Sequence, residues 1–340
     1  MSRYILVWAL LLLLLLLGIT LDLGIGAARL SWSEVWLALW GKGSDMANYV
    51  VLNYRLPKIL TALVAGASVA TAGLQMQCLF RNPLADTSIL GINSGAGLGV
   101  AIYTMAYSLF PSIALLNSGV ATWGIILSAC IGSVAVLLLI STLALRLQNL
   151  ISVLIVGVMI GFLASSFISI LQYLSNEETL KTYLLWSFGS VSSTTWQQLQ
   201  VLLPLIGLGL GASLLMPKAM NALGLGESYA RSVGIHVGLA RFALIGTTSL
   251  LAGSITAFTG PIAFLGLAVP HFVRLLLRTS DHRYLIPTTM LAGALLLVFC
   301  DLLSQLPGGG ATLPINALTS LIGAPVVIYI VLRGGLQRSH

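Results

Sequence analysis

The chain has 340 residues, of which 58% are hydrophobic and 7% are charged, and its formal net charge is +7. A soluble domain carries about 25% charged residues, so this composition excludes a water-soluble globular protein. The basic residues are scattered singly at the ends of apolar runs, which argues against nucleic-acid binding. We therefore expect a single membrane domain over residues 1–340.

Apolar runs of membrane-spanning length predict an all-α, polytopic protein of about ten transmembrane helices. The first run is longer than the core of a secretion signal, about 7 to 15 residues, and we interpret it as a span. Gly260-Pro261 is expected to separate the seventh span from the eighth, because proline lacks the N–H and clashes with the preceding turn. The predicted spans are 4–21, 59–79, 89–107, 120–145, 152–174, 199–216, 239–258, 262–277, 284–303 and 314–332.

The basic residues also predict the orientation. With ten spans and both termini in the cytoplasm, eleven of the 16 Lys and Arg residues fall on the cytoplasmic side, as the positive-inside rule requires. Fusing the seventh and eighth spans would place Arg274, Arg278 and Arg283 outside. Ten spans are therefore favoured.

Two local patterns predict packing. Glycines at four-residue spacing let helix backbones approach closely in lipid. Ser31 to Glu34 matches a capping box, which would open a short external helix with tryptophans on one face. The glycine pairs are Gly95/Gly99, Gly157/Gly161 and Gly207/Gly211.

The sequence carries little chemistry of its own. Gly41-Lys42 lacks the earlier glycine of a phosphate-binding loop, and neither the four histidines nor the three cysteines have metal-ligand spacing. Asp301 alone approaches the membrane interior, where capping or packing is favoured over proton relay. An enzyme is disfavoured. A secondary transporter, which would need mid-membrane carboxylates or paired broken helices, is the less favoured alternative.

The longest predicted cytoplasmic loop covers residues 216–241. It mixes small apolar residues with Lys218, Glu227, Arg231 and His236, and its glycines divide it into two short helical pieces. A plain connection is one interpretation. Docking of a soluble partner is the other, because apolar side chains in a water-facing loop suit such a contact.

This loop and other segments, over nearly the whole chain, resemble the iron-chelate and cobalamin permease family of type II ABC importers. Several long motifs occur in the family's order, which is more specific than any one of them. They are Arg55-Leu-Pro-Lys58, Arg81-Asn82-Pro83-Leu-Ala-Asp86, Trp186-Ser-Phe-Gly189-Ser190, Gly226-Glu227 with Ala230-Arg231-Ser-Val-Gly234, and Gly260 to Pro270-His271 with Arg274.

The resemblance implies a homodimer of ten-span subunits in the bacterial inner membrane, with the translocation path along the shared axis. Two copies of a separate ATPase subunit would use ATP, so this chain would be no enzyme and would bind no cofactor. A substrate-binding protein would dock outside. The cargo would be an iron chelate, either a siderophore or haem, with cobalamin as the alternative.

The resemblance also implies roles for individual residues. Arg55 and Lys58 would dock the binding protein, and Gln305 stands where some members carry a further arginine, so docking would rest on fewer charges. The ATPase-coupling residues would be Leu223, Gly224, Gly226, Glu227, Ala230, Arg231 and Gly234. The cytoplasmic gate would be Gln148, Asn149, Leu150, Ile151 and Ser152. The remaining family-motif residues are Arg81, Asn82, Pro83, Pro270, His271 and Arg274.

Overall fold

A computed structural model describes residues 2–26, 28, 30–87, 91–109, 118–146, 150–307 and 312–336, and within them every regular element is helical. The helices are α1 (Ser2–Gly24), α2 (Trp32–Leu39), α3 (Asp45–Val50), α4 (Leu56–Phe80), α5 (Ile92–Leu109), α6 (Ser118–Arg146), α7 (Leu150–Leu174), α8 (Glu177–Ser187), α9 (Trp196–Leu214), α10 (Pro217–Leu225), α11 (Glu227–Ser232), α12 (Val237–Thr259), α13 (Leu265–Leu277), α14 (His282–Ser304) and α15 (Ile315–Leu336). A π-helical turn, Val51–Arg55, joins α3 to α4.

The all-α, polytopic prediction is confirmed. Each of the ten predicted spans overlaps one long helix, namely α1, α4–α7, α9 and α12–α15. Within the described residues, seven helices are long and apolar enough to cross a membrane, and Leu265–Leu277 and Ile315–Tyr329 are apolar but shorter. The number of crossings stays a prediction.

The break between α12 and α13 lies at the predicted position. α12 ends at Thr259, and Gly260 has φ 75°, a conformation that favours glycine. A Cβ on Gly260 would overlap the carbonyl oxygen of Trp186. The N–H of Ser190 donates to the carbonyl of Thr259 at 2.7 Å, so the chain after α8 packs into this break.

Helix α4 is the centre of the bundle. Most of its side chains are buried, and it packs against α14, α12, α13, α9 and α10. Close approach is possible because Gly66 faces Gly293 of α14 and Gly73 faces Gly266 of α13, where a Cβ would overlap the facing backbone. Such contacts replace the hydrophobic effect as a source of helix association in lipid.

The predicted glycine packing is partly correct. Gly95 and Gly99 of α5 lie against the backbone of α6 at Gly132 and Ser128. A Cβ at Gly207 or Gly211 would meet nothing within 4 Å, so among the described residues no other helix approaches the third pair closely. The periodicity of the glycines was the same in both cases, and only the tertiary arrangement separates them.

The connection between α1 and α4 forms a small cap at one end of the bundle, here called the α2–α3 end. The Ser31 hydroxyl accepts from the N–H of Glu34, and the Glu34 carboxylate accepts from the N–H of Ser31. These bonds confirm the capping box and hold the pKa of Glu34 below its usual value. Val35 and Ala38 pack inward, whereas Trp32, Trp36 and Trp40 are exposed.

Candidate functional site

The opposite end of the bundle carries α10 and α11, which join α9 to α12. We call residues 216–238 the coupling segment. Gly226 has φ 129° and Gly234 has φ 81°, so glycine ends both short helices. The N–H of Ile235 donates to the carbonyl of Ala230 at 2.9 Å, which closes the second turn. The predicted loop thus consists of two short ordered helices.

One side of the coupling segment is buried and the other is exposed. Met220, Leu223 and Ala230 are at most 4% exposed and pack on the bundle. On the other side, Leu225 is 71% exposed, Val233 50% and Tyr229 48%. A side chain at Gly224 or Gly226 would meet nothing within 4 Å. This apolar surface has no partner among the described residues of the chain.

Glu227 connects the coupling segment to the bundle. Its carboxylate accepts from Arg241 in the first turns of α12. Arg81, at the end of α4, lies 4.0 Å away, and Arg231 lies 3.9 Å away. The structure therefore brings three predicted site residues, Glu227, Arg231 and Arg81, together around one carboxylate.

Asn221 makes a second connection, which the sequence analysis missed. Its side-chain amide donates to Asp281 Oδ1 at 2.7 Å and accepts from the N–H of His282 at 2.9 Å. Partial burial raises the pKa of Asp281, but hydrogen bonds from the N–H of Arg283 and from Asn221 outweigh it and leave the pKa lowered. The start of α14 is thereby fixed to α10.

The family-motif residues form a tight turn against α13. Arg81 takes the left-handed conformation, with φ 46°, and the Asn82 side chain accepts from the N–H of Leu84 at 2.9 Å. The His271 ring lies 2.8 Å from the carbonyl oxygen of Pro83. Arg274 donates to Gln77 Oε1 at 2.5 Å. Pro270 is buried inside α13. Two motifs separated by nearly 200 residues thus meet.

At the α2–α3 end, Lys58 lies inside a charged cluster. Its Nζ is 2.7 Å from Asp22 Oδ1 of α1 and 2.7 Å from Asp301 Oδ2 of α14. Both carboxylates are at most 1% exposed. Gln305 donates to Asp22 Oδ1 at 2.8 Å. The four residues join α1, α4 and α14.

Arg55 is also turned inward. It is 4% exposed and donates to the carbonyl oxygens of Leu23, Gly24 (3.2 Å) and Ala28 (2.6 Å). The assignment of Arg55 and Lys58 to docking of the binding protein stays a prediction, and in this conformation neither side chain is exposed. Both cations are buried because the start of α4 lies beneath the cap, and their partners are in the same chain.

Comparison with known proteins decides the family. A profile of the FecCD transport family matches residues 12–333. The chain belongs to the FecCD transport family. The hemin transport system permease protein HmuU of Yersinia pestis is 38% identical over 331 residues, 96% of each chain. The vitamin B12 import system permease protein BtuC of Vibrio cholerae serotype O1 is 35% identical over 302 residues, 88% of each chain.

A solved structure supports the same FecCD assignment. It is described as an inward-facing conformation of a metal-chelate type ABC transporter. It superposes with a TM-score of 0.84 at 29% identity, covering 96% of this chain and 99% of the other. The predicted family is therefore confirmed, and with it the fold of an ABC transporter permease.

Part of the gate predicted from the FecCD resemblance cannot be placed. Gln148 and Asn149 lie outside the described residues. Leu150 and Ile151 begin α7, and Ser152 follows them half-buried. The gate assignment stays a prediction.

Proposed function

We propose that this chain is the transmembrane subunit of an ATP-binding-cassette importer that moves an iron chelate by alternating access. The whole of residues 1–340 forms one permease domain in the bacterial inner membrane, with both termini in the cytoplasm. The chain has no catalytic group and no cofactor of its own. ATP is hydrolysed by two copies of a separate subunit.

The proposal rests on one observation, the exposed apolar surface of the coupling segment. Leu225, Tyr229 and Val233 form an exposed apolar surface on helices that Glu227 and Asn221 hold in place. An exposed apolar patch at the end of a membrane bundle, on ordered backbone, fits docking of a soluble protein. An ATPase subunit that binds this segment and moves it also moves α9 and α12, because the segment joins these two helices.

A second copy of the chain is the proposed partner within the membrane. Phe162, Phe167 and Tyr173 of α7 are all more than half exposed. Ser165, Ser166 and Ser169 are exposed on the same helix. Hydroxyl groups on a membrane helix suit a path or a helix contact better than lipid. Two copies would place α7 and α15 around a shared path.

The cargo is proposed from the relatives. Haem is the first candidate because a hemin permease is 38% identical, and cobalamin is second because a vitamin B12 permease is 35% identical. A cavity of about 410 Å³ is lined by the ends of α6, α8 and α12, by the first residues of α9 and α15, and by the segments after α8 and before α15. It is lined by polar and aromatic side chains, including Trp186, Ser190, Gln198 and Phe258, a mixture that suits a large chelate.

Transport then follows from differential binding. ATP favours a closed pair of ATPase subunits, which shifts the permease between states open to opposite sides. A soluble substrate-binding protein delivers the chelate from outside. Docking of that protein at Arg55 and Lys58 is proposed from the family resemblance, and in the conformation described here both side chains are engaged within the chain.

The test is uptake by the purified complex. The chain is reconstituted in proteoliposomes with its ATPase subunit and the cognate binding protein, and uptake of haem and of cobalamin is measured with and without ATP. ATP-dependent uptake of haem supports the proposal, and uptake of cobalamin alone supports the alternative cargo. Uptake driven by an ion gradient without ATP contradicts the proposal and favours a secondary transporter.

A further inference from the structure

Gln75 lies in α4 with its side-chain amide wholly buried between two other helices. Its Nε2 donates to Ser213 Oγ of α9 at 2.8 Å. Its Oε1 accepts from Thr247 Oγ1 at 3.1 Å and from Thr248 Oγ1 at 2.9 Å, both in α12. Since α9 and α12 flank the coupling segment, one side chain connects both ends of that segment to α4.

Two further contacts continue from Gln75 along α4. Cys78 Sγ donates to the carbonyl oxygen of Met220 in α10 at 3.3 Å, and Arg81 lies 4.0 Å from Glu227 in α11. Gln75 and Cys78 are three residues apart and share one face of α4, and Arg81 directly follows the end of that helix. The coupling segment and its two flanking helices are therefore attached to the last turns of α4 and to its end, at three successive positions.

Of these three sets of contacts, the hydrogen bonds of Gln75 are the ones that lie within the apolar part of the bundle. Ser213 and Thr248 are wholly buried, and no water competes for their hydroxyl groups. A slip of α9 or α12 along α4 would leave buried polar atoms without partners, which is costly in a low-dielectric interior. The amide thus opposes sliding more strongly than apolar packing of the same area.

We propose that Gln75 is a positioning residue that makes α4, α9 and α12 move as one body when the coupling segment is displaced. The inference rests on the proposed function, since the displacement comes from an ATPase subunit. Without the amide, α9 and α12 slide against α4, and the movement is lost before it reaches the rest of the bundle. ATP hydrolysis then continues with little transport.

The test compares Gln75→Leu with Met76→Leu in proteoliposomes that hold the complete complex. Leucine keeps a similar volume and removes the three hydrogen bonds, whereas Met76 is a neighbouring, wholly buried side chain without such bonds. The measured quantity is haem transported per ATP hydrolysed. We expect this ratio to fall roughly tenfold, within the usual range of coupling energies, in Gln75→Leu, with the ATPase rate retained. Met76→Leu should keep the wild-type ratio.

A second pair of variants separates positioning from a general loss of structure. Thr248→Val and Ser213→Ala each remove one partner of the amide, and each should lower the ratio in part. Thr248→Val added to Gln75→Leu should lower it no further, because interacting residues are not additive. If Gln75→Leu fails to fold, the two single variants decide: an unchanged ratio in both overturns the inference.

The wild-type complex distinguishes the two proposals. If the wild-type complex transports neither haem nor cobalamin with ATP, the proposed function is refuted, and this inference is refuted with it. If the wild-type complex and the Gln75→Leu variant transport the same amount of haem per ATP hydrolysed, the inference alone is refuted. A parallel loss of ATPase rate and transport in Gln75→Leu also overturns it, since that result indicates structural damage.

Discussion

Lys58 and Asp22 form an ion pair of 2.7 Å in the interior of the bundle, and the same ammonium lies 2.7 Å from Asp301. One cation therefore stabilises two carboxylates that are at most 1% exposed. The contact joins the ends of α1 and α14 to the start of α4. It makes Lys58 a structural residue in this conformation.

Removing this ammonium should destabilise the protein strongly. Lys58→Met leaves two buried carboxylates without a counter-ion, and breaking a buried ion pair costs about 3 to 5 kcal/mol. Thermal unfolding in detergent measures the effect. Lys42→Met is the control, because Lys42 is exposed, and its unfolding temperature should not change. Asp301→Asn added to Lys58→Met should recover part of the loss; no recovery would contradict the pairing.

A methyl group at Gly73 should disturb the contact between α4 and α13. The Cβ would overlap the carbonyl oxygen of Gly266, and overpacking of this kind costs about 1 to 3 kcal/mol. Gly207→Ala is the matched control, since a Cβ there meets nothing within 4 Å. Unfolding temperatures of Gly73→Ala and Gly207→Ala in the same detergent should differ. Equal temperatures would mean that α4 and α13 are not packed as described.

The exposed apolar surface of the coupling segment should bind the ATPase subunit. Leu225→Ser with Tyr229→Ser should reduce co-purification of that subunit without lowering the unfolding temperature of the permease, because both side chains are largely exposed. Met46→Ser with Tyr49→Ser removes equally exposed side chains at the α2–α3 end. That control should leave co-purification intact. Loss of the subunit in both variants would refute the assignment.

Asp281 should make stability depend on pH in the acid range. Its folded-state pKa lies below the ordinary value, which is about 3.9. The stabilisation is therefore present above that ordinary value and is lost as the pH falls through the lowered folded pKa. Between about pH 5 and pH 2, the free energy of unfolding of Asp281→Asn should depend less on pH than that of the wild type. An unchanged dependence of stability on pH would show that the hydrogen bonds to the Asp281 carboxylate do not stabilise the fold.

Much of the fold follows from the sequence because lipid imposes a simple rule on length and polarity. The helices of all ten predicted spans and the break at Gly260-Pro261 were predictable from apolar runs and from proline. The coupling segment was located because its glycines interrupt a charged and apolar stretch. These signals are local along the chain.

The contacts that the sequence analysis missed are long-range. Lys58 lies where basic residues usually mark a membrane surface, and its partners are 36 residues before it and well over 200 after it. Gln75, Ser213 and Thr248 are polar residues in apolar helices, and nothing in their spacing shows which helices meet. Gly207 and Gly211 carried the same pattern as Gly95 and Gly99, but a Cβ at either would meet no atom of the described residues within 4 Å.

The orientation of the coupling segment tests the account most directly. Leu225→Cys and Tyr49→Cys each add one exposed thiol, at opposite ends of the bundle, to a chain whose own three cysteines are buried or half-buried. A membrane-impermeant thiol reagent is applied to intact cells and to inside-out vesicles, with the unsubstituted chain as the background. We predict labelling of Tyr49→Cys in cells, and of Leu225→Cys in inside-out vesicles alone. Labelling of Leu225→Cys in intact cells would place the segment outside, beyond the reach of ATP, and would contradict the proposed importer.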